Sequence, residues 1–304
     1  MASGDRLISR HCEGHRPVAI HGLPRFARSD TGAAGANIET TLLGVADIDW
    51  SAPWLADWRA VGEAIAQQVV AGVPQPQALT EAGRAPVRFV PQADLPLGMA
   101  YEAFIGETHQ VPTREGLHDF FNALCWLHFP LAKQQLNRLQ SAEIARAGVG
   151  QVRGPVRDAC TVFDENAVLI QTPDSVWQAL TEHRWHDALV AQRALWAETE
   201  TRVWMFGHAA LEKLVRPYPG ITVHLWRVPA GVGNATLDAW LAQDLQADKL
   251  ATKPFSPLPI LGVPGWWVAN TEPAFYEDTQ VFRPRRLRQA VERPHKVPEL
   301  VRPT

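Results

Sequence analysis

The sequence is short of cysteine, and its few cysteines are badly spaced for chemistry. Cys12, Cys125 and Cys160 are odd in number, far apart and form no C-x-x-C pair. That excludes a zinc ribbon or a thioredoxin-like dithiol and fits a reducing compartment. Charge of one sign is also lacking. The 29 Lys and Arg against 32 Asp and Glu leave a net −3, so nothing electrostatic draws the whole molecule to nucleic acid or an anionic membrane. The longest apolar run, residues 120–132, is interrupted by Asn122, His128 and Pro130 and is too short to span a bilayer. The N-terminus carries no continuous apolar segment of the secretory kind. The expected address is therefore the cytoplasm. No G-x-S-x-G elbow, no phosphate-binding G-x-x-x-x-G-K-[ST] loop and no G-x-G-x-x-G at a helix start is present. Three common enzyme frameworks drop out on that ground.

What is present is an ordinary globular composition, 46% apolar and 20% charged, long enough to bury a large core. Tryptophan stands out, with twelve residues against three tyrosines. Each ring brings a large apolar face and one N–H that needs a partner when buried.

Along the chain, residues 1–44 have no sustained period and read as a flexible leader. Pro53, Trp54, Trp58, Val61, Ile65 and Val69 sit at helical spacing, and residues 87–90 read as a short strand. Pro112, Thr113 and Arg114 suggest a loop before a helix over 117–129, buried through Leu117, Phe120, Phe121, Leu124 and Leu127. Pro130 breaks that helix, and a second runs over 131–147 to Gly148. Residues 159–163 and 168–171 look like the arms of a β-hairpin turning at Asp164, Glu165 and Asn166. A long helix opening at Thr172 and Pro173, a helix over 206–214, a strand over 221–228 and a helix over 238–250 follow. Residues 285–304 form a basic, proline-containing tail. The expectation is one mixed α+β, helix-rich domain over 45–284, with a β-hairpin and short strands packed by several helices.

Three blocks gather groups that could do chemistry. His118 and Asn122 are four residues apart on one helix, sharing a face that Lys133 and Asn137 extend if the helix line continues. His208 and Glu212 repeat the i, i+4 spacing, as a base and its orienting carboxylate would. Arg157 and Asp158 stand at the entrance to the presumed hairpin, and Arg114 stands just before His118. Each block also has a structural reading: a cap for Asp119 and His118, a local His–Glu hydrogen bond, and turn chemistry for Asp164 to Asn166. His224, alone in an apolar strand, reads as a half-buried core histidine.

In order along the chain, Val111-Pro112-Thr113-Arg114, Leu117-His118-Asp119-Phe120-Phe121-Asn122-Ala123-Leu124, Trp126, Phe129-Pro130, Lys133 and Leu136-Asn137 carry a resemblance. Arg157-Asp158-Ala159, Phe163-Asp164-Glu165-Asn166, Gly207-His208-Ala209, Glu212-Lys213-Leu214 and Leu261-Gly262-Val263-Pro264-Gly265-Trp266 continue it. Together they resemble a bacterial family known as domain of unknown function 3025, over residues 47–284. The resemblance implies a single family domain and brings no activity with it. Ala167 stands where the family pattern implies a glycine after the Asp-Glu-Asn turn.

Taken together, the blocks suggest a hydrolase- or transferase-like enzyme with a His/Asn/Arg/Glu cleft. His118, Asp119, Asn122, His208 and Glu212 would be the catalytic set, and Arg114, Lys133, Arg157 and Asp158 would hold a small anionic substrate. Glu212 should raise the pKa of His208, and the helix start should lower that of His118. A separation above about 10 Å between the two histidines would remove the basis of this reading. A different class is a non-catalytic binding module, with Trp126, Trp204, Trp226, Trp266 and Trp267 lining an apolar pocket. A third is a ββα-metal nuclease with His109 as base, which the absence of a basic stripe opposes. The sequence names no metal, cofactor or oligomeric state, and gives no reason to expect a membrane or nucleic-acid partner.

Overall fold

A computed structural model describes residues 44–148, 154–197 and 200–285. The leader and the tail expected from the sequence fall outside these residues, except for their inner ends.

A 3₁₀ turn at Pro53–Leu55 leads into α1 (Arg59–Val70), which ends where Gly72 takes φ 97°. Next come α2 (Gln75–Glu81), β1 (Arg88–Pro91), α3 (Tyr101–Thr108) and β2 (Gln110–Thr113). β1 and β2 pair in parallel, Phe89 opposite Val111, with α3 as the crossover. Pro112 and Thr113, expected in a loop, are the end of β2. Val111, Pro112 and Thr113 are all buried there, and pairing with β1 holds the segment as strand.

α4 (Leu117–His128) is the most buried helix, with Phe120, Phe121, Ala123 and Cys125 fully enclosed. Its line stops at Phe129 (φ −123°, ψ 57°), and Pro130 opens α5 (Pro130–Ala147) as a first-turn proline. Asp238 takes the free N–H groups of Leu131 and Ala132 at 2.9 Å each, capping α5 from a distant helix. Gly148 (φ 70°) ends α5.

The expected hairpin does not form. Residues 155–166 are instead a helix, α6 (Pro155–Asn166), with Pro155 at its start and Ala159, Cys160 and Phe163 buried at helical spacing. α6 runs directly into β3 (Ala167–Gln171). Ala167 is extended (φ −73°, ψ 146°), so no glycine is required there. The long helix expected from Thr172 is broken as well: α7 (Asp174–Thr181) stops before His183 (φ 58°), a single π turn covers Asp187–Ala191, and α8 (Ala194–Ala197) is one turn. Thr172 bonds Thr201 instead of capping α7. β4 (Arg202–Met205), α9 (His208–Lys213), β5 (Thr222–Arg227), α10 (Asn234–Asp244), α11 (Ala247–Ala251) and β6 (Ser256–Pro259) complete the chain.

The main sheet has the order β4-β3-β5-β6. β3 is antiparallel to β4 and parallel to β5, and β5 is antiparallel to β6. The central strand, Ala167 to Ile170, is buried on both faces, as an apolar run without alternation should be. The fold is α+β and helix-rich. Among the described residues no helix is long and apolar enough to cross a membrane.

Candidate functional site

The start of α4 is built as a polar rim. Gly116 (φ 122°) turns the chain into the helix, a backbone geometry that disfavours any side chain. The Gln75 side-chain amide donates to the carbonyls of Arg114 (2.8 Å) and Gly116 (3.2 Å), fixing the loop from α2. Asp119 accepts from the Arg114 backbone N–H (2.7 Å), from its Nε (3.0 Å) and from its Nη2 (2.9 Å). Burial alone would raise the Asp119 carboxyl, but these Arg114 bonds hold it below the usual carboxylate range. The Arg114 side chain remains 59% exposed, and its Nη1 makes no hydrogen bond among the described residues. One edge of the guanidinium is thus pinned to Asp119 while more than half of the side chain meets solvent.

His118, one residue before Asp119, meets α9. Its Nδ1 lies 2.8 Å from Glu212 Oε2, and its Nε2 lies 3.2 Å from His208 Nε2. The Nδ1 of His208 points at the Asp164 backbone oxygen, 2.8 Å away. The partners assign the hydrogens. A carbonyl oxygen only accepts, so His208 carries its hydrogen on Nδ1. His208 is nearly enclosed, and burial pushes its pKa down to about 4, leaving Nε2 as a lone pair. An Nε2–Nε2 hydrogen bond then needs the hydrogen on His118. The Glu212 carboxylate needs another on His118 Nδ1. Together these demands make His118 an imidazolium, and the Glu212 hydrogen bond, outweighing partial burial, does raise its pKa.

The two histidines are therefore displaced in opposite directions, as the sequence led one to expect, but with the roles exchanged. Glu212 shares α9 with His208 yet bonds His118 across the interface. His208 falls because it is buried, and His118 rises because its hydrogen bond to the Glu212 carboxylate outweighs its partial burial.

Behind this pair lies a buried polar chain. Lys133 Nζ donates to Asp164 Oδ1 (2.5 Å) and to Asn122 Oδ1 (2.8 Å). Asn122 Nδ2 donates to the Tyr101 hydroxyl (3.0 Å). Asn137 Nδ2 donates to the backbone oxygen and carboxylate of Glu102. The face shared by Asn122 and Lys133 survives the break at Phe129, but it points inward. Lys133 is 5% exposed and committed to Asp164, so it is not placed to bind a substrate. Asn122 is likewise internal. A cavity of about 10 Å³, room for a single water, lies among Tyr101, Glu102, Asn122, Lys133 and Asp164.

Other sequence candidates lie elsewhere. Asp158 pairs with Lys253, and the charge of Arg157 acts on Glu143, three turns along α5 from Lys133. Neither has a contact with the histidine pair. His224 packs on Phe255, and its buried Nδ1 has no hydrogen-bond partner among the described residues. No two of the five tryptophans proposed as a pocket lining share a ring contact among the described residues: Trp126 lies under Lys133, Trp226 under Lys249, and Trp266 against Trp54. β1 and β2 are parallel and separated by α3, which is not the two-stranded ribbon a ββα-metal nuclease needs, and His109 is simply the left-handed end of α3. Among the described residues no three His, Cys, Asp or Glu side chains are grouped to hold a metal. Cys125 gives its S–H to the Phe206 carbonyl, and burial pushes its thiol up, away from nucleophilic use.

The residue that sequence reasoning missed is Asp164, read as hairpin-turn chemistry. The signal that could have found it was the spacing of Ala159, Cys160 and Phe163, which fits a helix with Asp164 in its last turn.

A family model described as protein of unknown function (DUF3025) matches residues 87–286, a span that includes Arg114, His118, Asp164, His208 and Glu212. No curated protein and no solved structure matches the chain.

Proposed function

The chain belongs to the DUF3025 family, and on the geometry of its paired histidines we propose that it is a hydrolase- or transferase-like enzyme acting by general acid–base catalysis at His118. The observation that carries this reading is the row Glu212–His118–His208, joined at 2.8 and 3.2 Å. An imidazole held by a carboxylate at Nδ1, with Nε2 directed at a proton acceptor, is the arrangement that moves protons at a reacting centre. His118 is the half-exposed member and titrates at a raised pKa, whereas His208 is enclosed and neutral.

In this reading a substrate enters at the exposed face of His118 and takes the place of His208 as the partner of Nε2. His118 as imidazolium gives the Nε2 proton to a leaving group. As neutral imidazole it removes a proton from an incoming water or hydroxyl, and Glu212 stabilises the cation that forms. His208 accepts the Nε2–H bond between turnovers and keeps that hydrogen aimed. The Nη1 of Arg114 holds an anionic group of the substrate, with Asp119 fixing the guanidinium through Nε and Nη2. Asn122, bonded to Lys133 and Tyr101, belongs to the buried support behind the pair.

Hydrolysis of p-nitrophenyl acetate, p-nitrophenyl phosphate and bis-p-nitrophenyl phosphate tests the reading. His118→Gln should remove at least about 100-fold of the turnover, the lower end of what a positioned acid or base supplies, while the melting temperature stays near that of the parent. Turnover untouched by His118→Gln, or absent across the panel, overturns it.

A further inference from the structure

The joint beneath His208 contains a buried ion pair that packing alone does not require. Lys133 from α5 and Asp164 from α6 meet at 2.5 Å with side chains 5% and 14% exposed. Replacing such a pair by apolar side chains of similar volume is often neutral or stabilising, because two charges must be stripped of water to form it. Its position suggests a use. Asp164 touches His208 twice: its backbone oxygen takes the Nδ1 hydrogen at 2.8 Å, and its Oδ2 lies 3.6 Å from the same nitrogen. Gly207 makes the approach possible, since a Cβ there would stand 2.6 Å from Asn166 Cα, Asn166 N and the Glu165 carbonyl.

We propose that Asp164 is a positioning residue for His208 and that Lys133 is the fixed countercharge setting how strongly Asp164 draws a proton onto that imidazole. The backbone oxygen of Asp164 selects the Nδ1–H form, which leaves the Nε2 lone pair for His118. The carboxylate of Asp164 pulls a proton toward His208, and Lys133, bonded to the other carboxylate oxygen, opposes that pull. The other titratable groups coupled to the joint are His118 from α4 with Glu212 behind it, the neutral thiols of Cys125 and Cys160, and Tyr101 and Glu102 from α3, and the Asp164 charge acts on both thiols and on both α3 groups. Burial drives Tyr101 and Glu102 upward, toward their neutral forms. Lys133 is thus the one cation on the inner side of His208 among the described residues.

This rests on the acid–base reading only for the purpose that a neutral His208 serves. Its test needs no substrate, so either idea can fail alone. The probe is the proton itself, read from the ¹⁵N shifts of the His208 ring in the full chain. With a pKa of about 4, His208 should be roughly one-tenth imidazolium at pH 5. Lys133→Gln, which keeps hydrogen bonding but not charge, should raise that fraction to about half or more, a tenfold gain in proton affinity. Asp164→Asn should lower it to nothing measurable while the Nδ1–H form persists. Simple loosening of the joint would expose the ring and move both variants upward, toward the ordinary histidine value. Opposite shifts therefore support the proposal. An unmoved His208 in Lys133→Gln, or an upward shift in Asp164→Asn, overturns it. If Lys133→Gln does not fold, the direction in Asp164→Asn decides alone.

Discussion

Glu212 follows His208 by one helical turn on α9, yet its carboxylate crosses the interface to hold His118 on α4 at 2.8 Å. Local spacing made His208 its expected partner. Docking of α9 against α4 chose the other imidazole, because His208 is turned inward to the Asp164 carbonyl.

Glu212→Gln should therefore lower the pKa of His118, leave that of His208 nearly unmoved, and shift any acid–base rate profile with it. The stability effect has a definite sign. A histidine whose pKa is raised by folding adds stability below its unfolded value, near 6.5, and loses it as pH rises through the folded value. The parent should out-melt Glu212→Gln between about pH 5 and 6.5 and converge with it in alkali. Both side chains are about 40% exposed, 42% and 39%, so solvent screens the pair and salt should shrink the gap. Equal melting temperatures throughout would show that the pair holds no charge.

His208 acts in the opposite direction. Its pKa is lowered by burial to about 4, so the unfolded chain takes up its proton first. Stability attributable to the neutral ring is complete above about pH 6.5 and declines as pH falls toward 4, by something on the order of 3 kcal/mol. Urea midpoints for the parent and for His208→Gln, compared at pH 7 and pH 4.5, isolate this slope. A parent that loses no more than the variant on acidification would mean that His208 is not buried in its neutral form.

Gly207→Ala should cost more than its single methyl suggests. The atoms a Cβ would strike, Asn166 Cα and N and the Glu165 carbonyl at 2.6 Å, are backbone at the end of α6 and cannot swing aside. A loss of about 1–3 kcal/mol, the usual range for overpacking, should appear in denaturant unfolding. The ¹⁵N signature of His208 should change with it, since α9 must back away from Asp164. A variant of parental stability with an unchanged His208 signal would show that the close approach does not exist in solution.

Leu124 is 2% exposed on the inner side of α4. Leu124→Ala should lower stability by about 2–5 kcal/mol, and Leu124→Asp should leave the protein unfolded or insoluble because it buries an unpaired charge. An unshifted melting temperature in Leu124→Asp would remove α4 from the core.

Where local rules dominate, the sequence was legible. The stop at Phe129, the proline start of α5 and its glycine end follow from backbone chemistry alone. Residues 155–166 misled because Thr161, Val162 and Phe163 favour strand and Asp164 to Asn166 mimic a turn. The proline start and the inward stripe of Ala159, Cys160 and Phe163 outvote both signals once a core exists to receive that stripe. His118, His208 and Glu212 could be picked out as a set, but not their pairing. Lys133 reads as a substrate contact in the sequence because nothing there shows that α6 delivers a carboxylate beneath it.

The contacts that make the cleft close long stretches of chain: 44 residues from Asp164 to His208, 90 from His118 to His208 and 94 from His118 to Glu212. Closing loops of that length is slow, and contacts of this separation form late in folding. A chain growing from its N-terminus carries His118 on a nearly complete α4 long before its partners exist. Until α9 has emerged and docked, that imidazole is an ordinary solvated histidine with no carboxylate behind it. Whatever reactivity the finished pair has is therefore withheld from the nascent protein, and comes with the docking of α9 rather than growing by degrees.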